Sequence, residues 1–346
     1  MQESAKVTAA EPAPPQPAAR VSWGRRVLAW LVAAYGAAIV AMWAWMILDG
    51  DRGWLATLVL FGPRWMCSIP LPFLALAAAL WHGRLLVPLA AVAVMIAGPI
   101  MGLQVHLPAR AAPKPSLRVV TCNVDEHVFH VTWLADLIEQ EQPDIVALQE
   151  IRADTVFIWP PGWHVVERDE FILASRWPII EREHVRRPVR NGIAAIRFSL
   201  QLPDREIQVF NLHLSTPAEG LGEVLSGKAG IDLSAAEHLQ KVVERRALES
   251  QQTSDWIAGF PGGKIIMGDF NMPSDSTIFR RSWSPWIDAF STVGWGLGFT
   301  KTSQVGAWSY GSRIDHVLST PGWRPLRCWI GPDIGSDHMP LVAEFE

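Results

Sequence analysis

The chain has 346 residues, enough for an ordinary domain and a further segment. Its 30 Lys and Arg stand against 34 Asp and Glu, a net charge of −4, which argues against a protein held to nucleic acid by charge alone. Cys67, Cys122 and Cys328 are too scattered for a zinc or disulfide framework, and the last two fall in strand-like runs, as small buried side chains do. A mean hydropathy of +0.16 with 18 Trp is high for a water-soluble enzyme, and the excess lies at the N-terminal end.

Residues 1–26, opening "MQESAKVTAAEPAPPQPAAR", lack periodicity and are expected to form a disordered tail. The uncharged run 27–48, "VLAWLVAAYGAAIVAMWAWMIL", is as long as a helix that crosses about 30 Å of hydrocarbon. It is too long for a signal-peptide core, and no small-residue cleavage site follows. Runs 65–81 and 85–103 repeat the pattern, predicting a transmembrane region over 27–103 with three helices, two being the alternative count. Trp43, Trp45, Trp54, Trp65 and Trp81 cluster near the span ends as an interfacial belt does. The run 54–64, "WLATLVLFGPR", is read as an interfacial segment or part of the second span.

Arg20, Arg25 and Arg26 favour a cytoplasmic N-terminus. Three spans then imply a multi-pass protein of the cell inner membrane with its remaining domain on the outer, periplasmic side. Arg110, Lys114 and Arg118 pull against that orientation. Residues 104–116, "QVHLPARAAPKPS", read as a semi-rigid Pro-rich linker.

From 117 to 346 the composition changes to short apolar runs separated by turn clusters. Runs 116–124 and 144–151 are strand-like, and between them Val131, Leu134, Leu137 and Ile138 share one helical face, closed by Pro143. Runs 192–200 and 205–214 predict a hairpin, and 232–260 a long helix leading into the strand of "PGGKIIMGDFN". "SRIDHVLS", "RPLRCWI" and "PLVAEF" complete a pattern of two packed sheets covered by helices.

Polar residues mark the ends of these runs: Asn123, Glu150, His213, Asp269 with Asn271, Asp315, and Asp337 with His338. Singly, each has a plain explanation as a cap, a turn residue or a solvated charge, and Asp315 could simply pair with Arg313. Gathered at one rim, they form a set with one chemistry. Asn123, Glu150 and Asp337 are hard oxygen donors suited to Mg²⁺ or Mn²⁺. His338 could take a proton from attacking water, with Asp315 fixing its tautomer. His213 and Asn271 could hold phosphoryl oxygens, and Asp269 could orient the nucleophile.

The ordered motifs "TCNV", "LQE", "NLHL", "GDFN", "SRIDHV" and "SDHMPL" resemble the endonuclease/exonuclease/phosphatase superfamily, of DNase I-like fold, in a membrane-anchored bacterial form. The resemblance covers about residues 117–346 and implies a four-layered α/β sandwich that acts as a divalent-metal phosphoesterase. It places Asn123, Glu150 and Asp337 on the metal side. Asp269, Asn271, His213, His338 and Asp315 fall at catalytic positions. An acidic support for His213 is expected, for which Asp169 and Glu170 are the two candidates. The Gly-rich stretch after His213 departs from the pattern and is read as a lid or substrate loop.

The expected function is a membrane-anchored phosphodiesterase acting on a lipid headgroup or nucleic acid, with no obligate protein partner evident. The basic cluster 181–190, "EREHVRRPVR", reads as a solvated loop, and the Trp-rich stretch 283–299 as core packing rather than lipid contact. A membrane-tethered, non-catalytic binding module is the alternative. A transporter is disfavoured because the three runs carry no charge.

Overall fold

The computed structural model describes residues 23–106, 114–124, 130–152, 155–189, 191–226, 233–305 and 308–346. Most of the predicted tail, much of the Pro-rich segment, and residues 227–232 of the Gly-rich stretch lie outside these. Among the described residues, three helical segments are long and apolar enough to cross a membrane: Trp23–Leu48, Arg64–Trp81 and Gly83–Ile100. The first is one helix, α1 (Trp23–Leu48). A short helix, α2 (Trp54–Phe61), follows, then α3 (Pro70–Trp81) and α4 (Leu86–Met95). Pro70 starts α3, where its missing N–H costs nothing. Pro99 falls in a π-helical turn, Ile96–Ile100, that prolongs α4. Trp30, Phe73, Leu76, Val87 and Val94 are exposed on these segments.

Helix α2 belongs to neither span. Trp54, Leu58 and Phe61 pack onto the core of the C-terminal domain, and Ala56 and Leu60 are buried. The turn before it is tied to the same domain through buried Asp51. Its carboxylate accepts hydrogen bonds from Ser276 Oγ at 2.7 Å, Thr277 Oγ1 at 2.8 Å and the Ile278 amide at 3.1 Å.

Strand β1 (Gln104–Val105) leads from the helices to β2 (Leu117–Asn123), α5 (Val131–Glu141) and β3 (Ile145–Gln149). Leu134, Leu137 and Ile138 of α5 are buried as their spacing predicts, and left-handed Gln142 (φ 48°) ends the helix before Pro143. Strands β4 (His164–Arg168), β5 (Phe171–Ser175) and β6 (Ile179–Arg186) follow. The predicted hairpin is β7 (Ile193–Gln201) with β8 (Glu206–His213). Helices α6 (Ala218–Ser226) and α7 (Leu233–Ala258) then carry the chain to β9 (Lys264–Asp269), parallel to β8. After α8 (Thr277–Trp283) come β10 (Ile287–Asp288), α9 (Ala289–Val293) and β11 (Trp295–Gly296), the partner of β1. The hairpin β12 (Lys301–Val305) and β13 (Trp308–Ser312) precedes β14 (Asp315–Ser319), β15 (Pro325–Ile330) and β16 (Leu341–Phe345).

Two six-stranded sheets result, in the orders β15-β16-β2-β3-β5-β4 and β10-β14-β9-β8-β7-β6. Their central strands are buried along their whole length, which is why they read as unbroken apolar runs rather than alternating ones. Val119, Ala147 and Leu173 of one sheet pack against Phe198, Val209 and Met267 of the other. Each such large side chain contributes about 1.5–3 kcal/mol by leaving water. Helix α5 covers the outer face of the first sheet, while α7 and α8 cover that of the second. The order is therefore helix, sheet, sheet, helix.

A polar contact set lies between the sheets. Asn211 Nδ2 donates to the carbonyls of Leu148 and Ile172, both at 3.0 Å, and Gln149 Nε2 donates to Asn211 Oδ1 at 2.7 Å. These side chains are fully buried and join β8 to β3 and β5, with Asn211 two residues before the end of β8 and Gln149 at the end of β3.

Candidate active site

Pairing register assembles the site. On β9, Asp269 is the Cα partner of His213 on β8 and of Asp315 on β14. In the other sheet, Asn123 closes β2 beside Gln149, the residue before Glu150. His338 arrives on the connection into β16. Two backbone features make this geometry possible. Gly268 has φ 140°, and a Cβ there would lie 2.0 Å from the Leu212 carbonyl oxygen, so no other residue fits. Glu150 and Asn271 adopt left-handed φ of 57° and 52°, turning the chain sharply at the rim.

Asp269 is the hub. Its Oδ1 accepts the Asn271 amide at 2.7 Å, and its Oδ2 accepts Asn123 Nδ2 at 3.1 Å and Asn271 Nδ2 at 3.0 Å. Two imidazoles face the same oxygen, His213 Nε2 at 3.9 Å and His338 Nε2 at 3.8 Å. Glu150 Oε1 lies 3.3 Å from His213 Nε2 and accepts Asn123 Nδ2 at 2.7 Å. Behind His338, Nδ1 meets Asp315 Oδ2 at 2.8 Å. Behind His213, Nδ1 meets Glu170 Oε1 at 3.0 Å. Of the two acidic candidates for that support, Glu170 fills the place.

Asp337 stands at the edge. Lys301 Nζ pairs with its Oδ2, while its Oδ1 lies 3.9 Å from His338 Nε2. Seven of the eight predicted site residues thus meet around Asp269, and Asp337 flanks them through His338.

Burial opposes protonation of His338, but the charges of Asp315 and Asp269 and the Asp315 hydrogen bond outweigh it, raising its pKa to about 9. Burial likewise opposes protonation of His213. The hydrogen bond to Glu170 and the charges of Asp269 and Glu170 prevail, so its pKa is also raised. The Asp269 carboxyl is pushed up by its own burial and by Asp315.

Among the described residues, two groups of potential ligands each lie with their donor atoms within 4.8 Å of one another: Glu150, His213 and Asp269, and Asp269, Asp315 and His338. Carboxylates dominate both, the buried Asp315 Oδ1 and Asp337 Oδ1 have no hydrogen-bond partner, and no thiolate is among them. This donor set fits a divalent cation.

Several supporting residues were not anticipated. Arg187 Nη2 donates to Glu170 Oε1 at 3.0 Å and to the His213 carbonyl at 2.9 Å. It lies in the basic cluster read as solvated, and nothing local separates it from its neighbours. Arg246 is buried and donates to the carbonyls of Ser215 at 2.9 Å and Asn271 at 2.6 Å. Here a signal existed: Val242, Val243, Arg246, Glu249, Ser250, Thr253 and Ile257 fall at helical spacing on the buried face of α7. Thr300 Oγ1 accepts the Ile314 and Asp315 amides, each at 3.1 Å, and holds the start of β14.

The two-sheet sandwich that carries this carboxylate–imidazole cluster at its rim is a phosphoesterase-type fold. The sequence model of the endonuclease/exonuclease/phosphatase family matches residues 120–338, and the chain belongs to that family. Its DNase I-like α/β fold is similar to that of the endonuclease/exonuclease/phosphatase from Beutenbergia cavernae. That likeness has 17% identity and a TM-score of 0.48, over 67% of this chain and 72% of that one. D. rerio TDP2 complexed with single-strand DNA product is 15% identical with a TM-score of 0.48, over 66% and 98%. The 3′ phosphatase NExo from Neisseria bound to a product DNA hairpin is 19% identical with a TM-score of 0.47, over 67% and 100%. No curated protein matches the chain.

Proposed function

We propose that this protein is a membrane-anchored, Mg²⁺- or Mn²⁺-dependent phosphodiesterase. The convergence of His213 and His338 on one oxygen of Asp269 carries the reading. Two imidazoles, each backed by its own carboxylate, suit a reaction that must move a proton and hold a phosphoryl group.

In this reading Asn123, Glu150 and Asp337 would hold the metal. A divalent cation there would offset the carboxylate charge felt by the imidazoles and stabilise negative charge on the phosphoryl oxygens. His338 takes the proton of the attacking water, and Asp315 fixes its tautomer and favours the imidazolium that forms. Asp269 orients that water. Asn271 and His213 donate to the phosphoryl oxygens, Glu170 and Arg187 keeping His213 in place. The three candidate spans anchor the enzyme as a multi-pass protein of the inner membrane, with the catalytic domain on the periplasmic side.

The test is hydrolysis of bis-(p-nitrophenyl) phosphate by the full chain in detergent. Turnover is expected with Mg²⁺ or Mn²⁺, with loss on chelation. His338→Ala is expected to lower the rate at least about a hundredfold, the usual scale for a general base. A folded, metal-loaded protein that is inert would return the chain to the class of non-catalytic binding modules.

A further inference from the structure

A cavity of about 600 Å³ lies between the N-terminal helices and the domain, within the size range of small-molecule sites. Leu60, Phe61, Trp65, Pro99, Met101 and Leu103 line it from the helical side. From the domain side come Leu297, Phe299, Tyr310 and a polar edge that includes Ser274, Ser312 and Arg313.

Its position argues for its occupant. Arg64 begins the second candidate span and Ile100 ends the third, so the helical wall is built where those spans end. Arg64 donates to the Ile100 carbonyl at 2.9 Å and to Asp275 Oδ2 at 2.6 Å, fastening both spans to the domain beside the cavity. If the spans lie in a bilayer, the cavity sits at headgroup depth with an apolar side toward the acyl layer.

The opposite wall is shared with the catalytic residues. Pro273 and Ser274 follow Asn271 within three residues, and Arg313 stands two residues before Asp315. Phe299 precedes Thr300, whose hydroxyl holds the Asp315 amide. A molecule with an apolar chain in the cavity would have its polar end beside the loops that carry Asn271 and Asp315. Nucleic acid has no comparable apolar chain, and the cavity offers no row of cations for a phosphate backbone. Arg64 is paired with Asp275, and Arg313 with Asp288.

We propose that this cavity takes an acyl chain of a membrane lipid, so that the phosphoester substrate is a lipid headgroup drawn from the bilayer. The substrate assignment rests on the phosphodiesterase reading above. The binding assignment does not.

Gly98 supplies the probe. It lines the cavity, and a Cβ built on it has nothing within 4 Å, so Gly98→Phe fills space without meeting the backbone. Full-length wild type and G98F would be placed in phosphatidylcholine nanodiscs containing phosphatidylglycerol with a photoactivatable acyl chain. Adducts would be mapped by mass spectrometry. Adducts at Phe299 and Tyr310, both on the domain, are expected in wild type and should fall at least about fivefold in G98F. Adducts confined to α1, α3 and α4, or unchanged in G98F, would overturn the binding assignment.

Hydrolysis separates the two readings. Wild type is expected to cleave long-chain phospholipid at least about tenfold more efficiently than the same headgroup on short chains, an advantage that G98F loses while its midpoint in pulse proteolysis stays that of wild type. Equal rates on both chain lengths, or DNA cleaved in preference and unaffected by G98F, would overturn the substrate assignment. Failure to hydrolyse any ester would instead defeat the phosphodiesterase reading and leave the adduct result to stand alone.

Discussion

Replacing Asn211 by Leu tests whether the buried amide contacts between the sheets hold the rim that carries the candidate site in register. The side chain makes three hydrogen bonds, to Leu148, Ile172 and Gln149, in a fully buried place. Leucine keeps the branched heavy-atom skeleton with bulkier methyl groups, so the change removes polarity and adds some volume. Each lost bond costs about 1 kcal/mol net, and leaving buried partners unsatisfied adds to that, so about 3–4 kcal/mol is expected. With a urea dependence of about 3 kcal/mol per molar, the unfolding midpoint should fall by about 1 M. Pulse proteolysis of the full chain in detergent suits the measurement, because it reads the fraction of cleavable domain without assuming that the helices unfold with it. The same change should lower activity, since the contacts anchor β8 against β3 just before His213 and Glu150, 3.3 Å apart. A midpoint within about 0.2 M of wild type would refute the idea that these contacts set the sheet register.

Two further outcomes follow from the ion pairs. Glu170→Gln keeps an acceptor for His213 Nδ1 but removes the charge that favours the imidazolium, so kcat should fall about 10–100-fold with KM little changed. An equal rise in KM with constant kcat would place Glu170 in substrate binding instead. Asp288 caps α9 and faces buried Arg313 at 2.9 Å and His316 at 3.3 Å. Burial alone would raise its pKa, but Arg313 and His316 hold it well below the usual carboxylate range. Because the folded pKa is depressed, its contribution is fully present above the unfolded value of about 3.9 and is lost as pH falls below that. Asp288→Asn should therefore cost about 3 kcal/mol at neutral pH by stranding Arg313, and its deficit in the proteolysis midpoint should shrink below about pH 4. A deficit that is constant with pH would mean that altered hydrogen bonding or packing, not the charge, carries the effect.

The site residues that could be read from the sequence share one property: each interrupts an apolar run that must be a buried strand. Asn123, His213 and Asp269 break such runs at their ends, where a polar side chain needs a reason to be. The supports behind them have no local mark. Glu170 meets His213 across 43 positions, and Arg187 meets it across 26, through sheet pairing that hydropathy does not encode. Arg246 was legible in principle from its helical spacing, but an arginine on an apolar face is easily assigned to the solvated side. The run 54–64 was ambiguous for a different reason. An apolar helix suits a bilayer and a protein core equally, and only the partner surface on α7 decides.

The placement of α2 bears on how the two parts of the chain act together. Asp51, buried in the turn before it, receives three hydrogen bonds at the start of α8, and Arg64, just after it, pairs with Asp275. Both contacts grip the segment 275–278, which begins four residues after Asn271. On the other side of that asparagine, Arg246 holds its carbonyl while stacking over Phe61 of α2, 5.2 Å from the ring centre. The loop that carries Asn271 is thus held from both directions by groups that belong to or touch the N-terminal helices. A flexible tether would leave the site indifferent to its anchor. Here, removal of the helices would strip Asp51 from the start of α8 and expose Arg246, so the geometry around Asn271 depends on a segment far outside the residues that match the family.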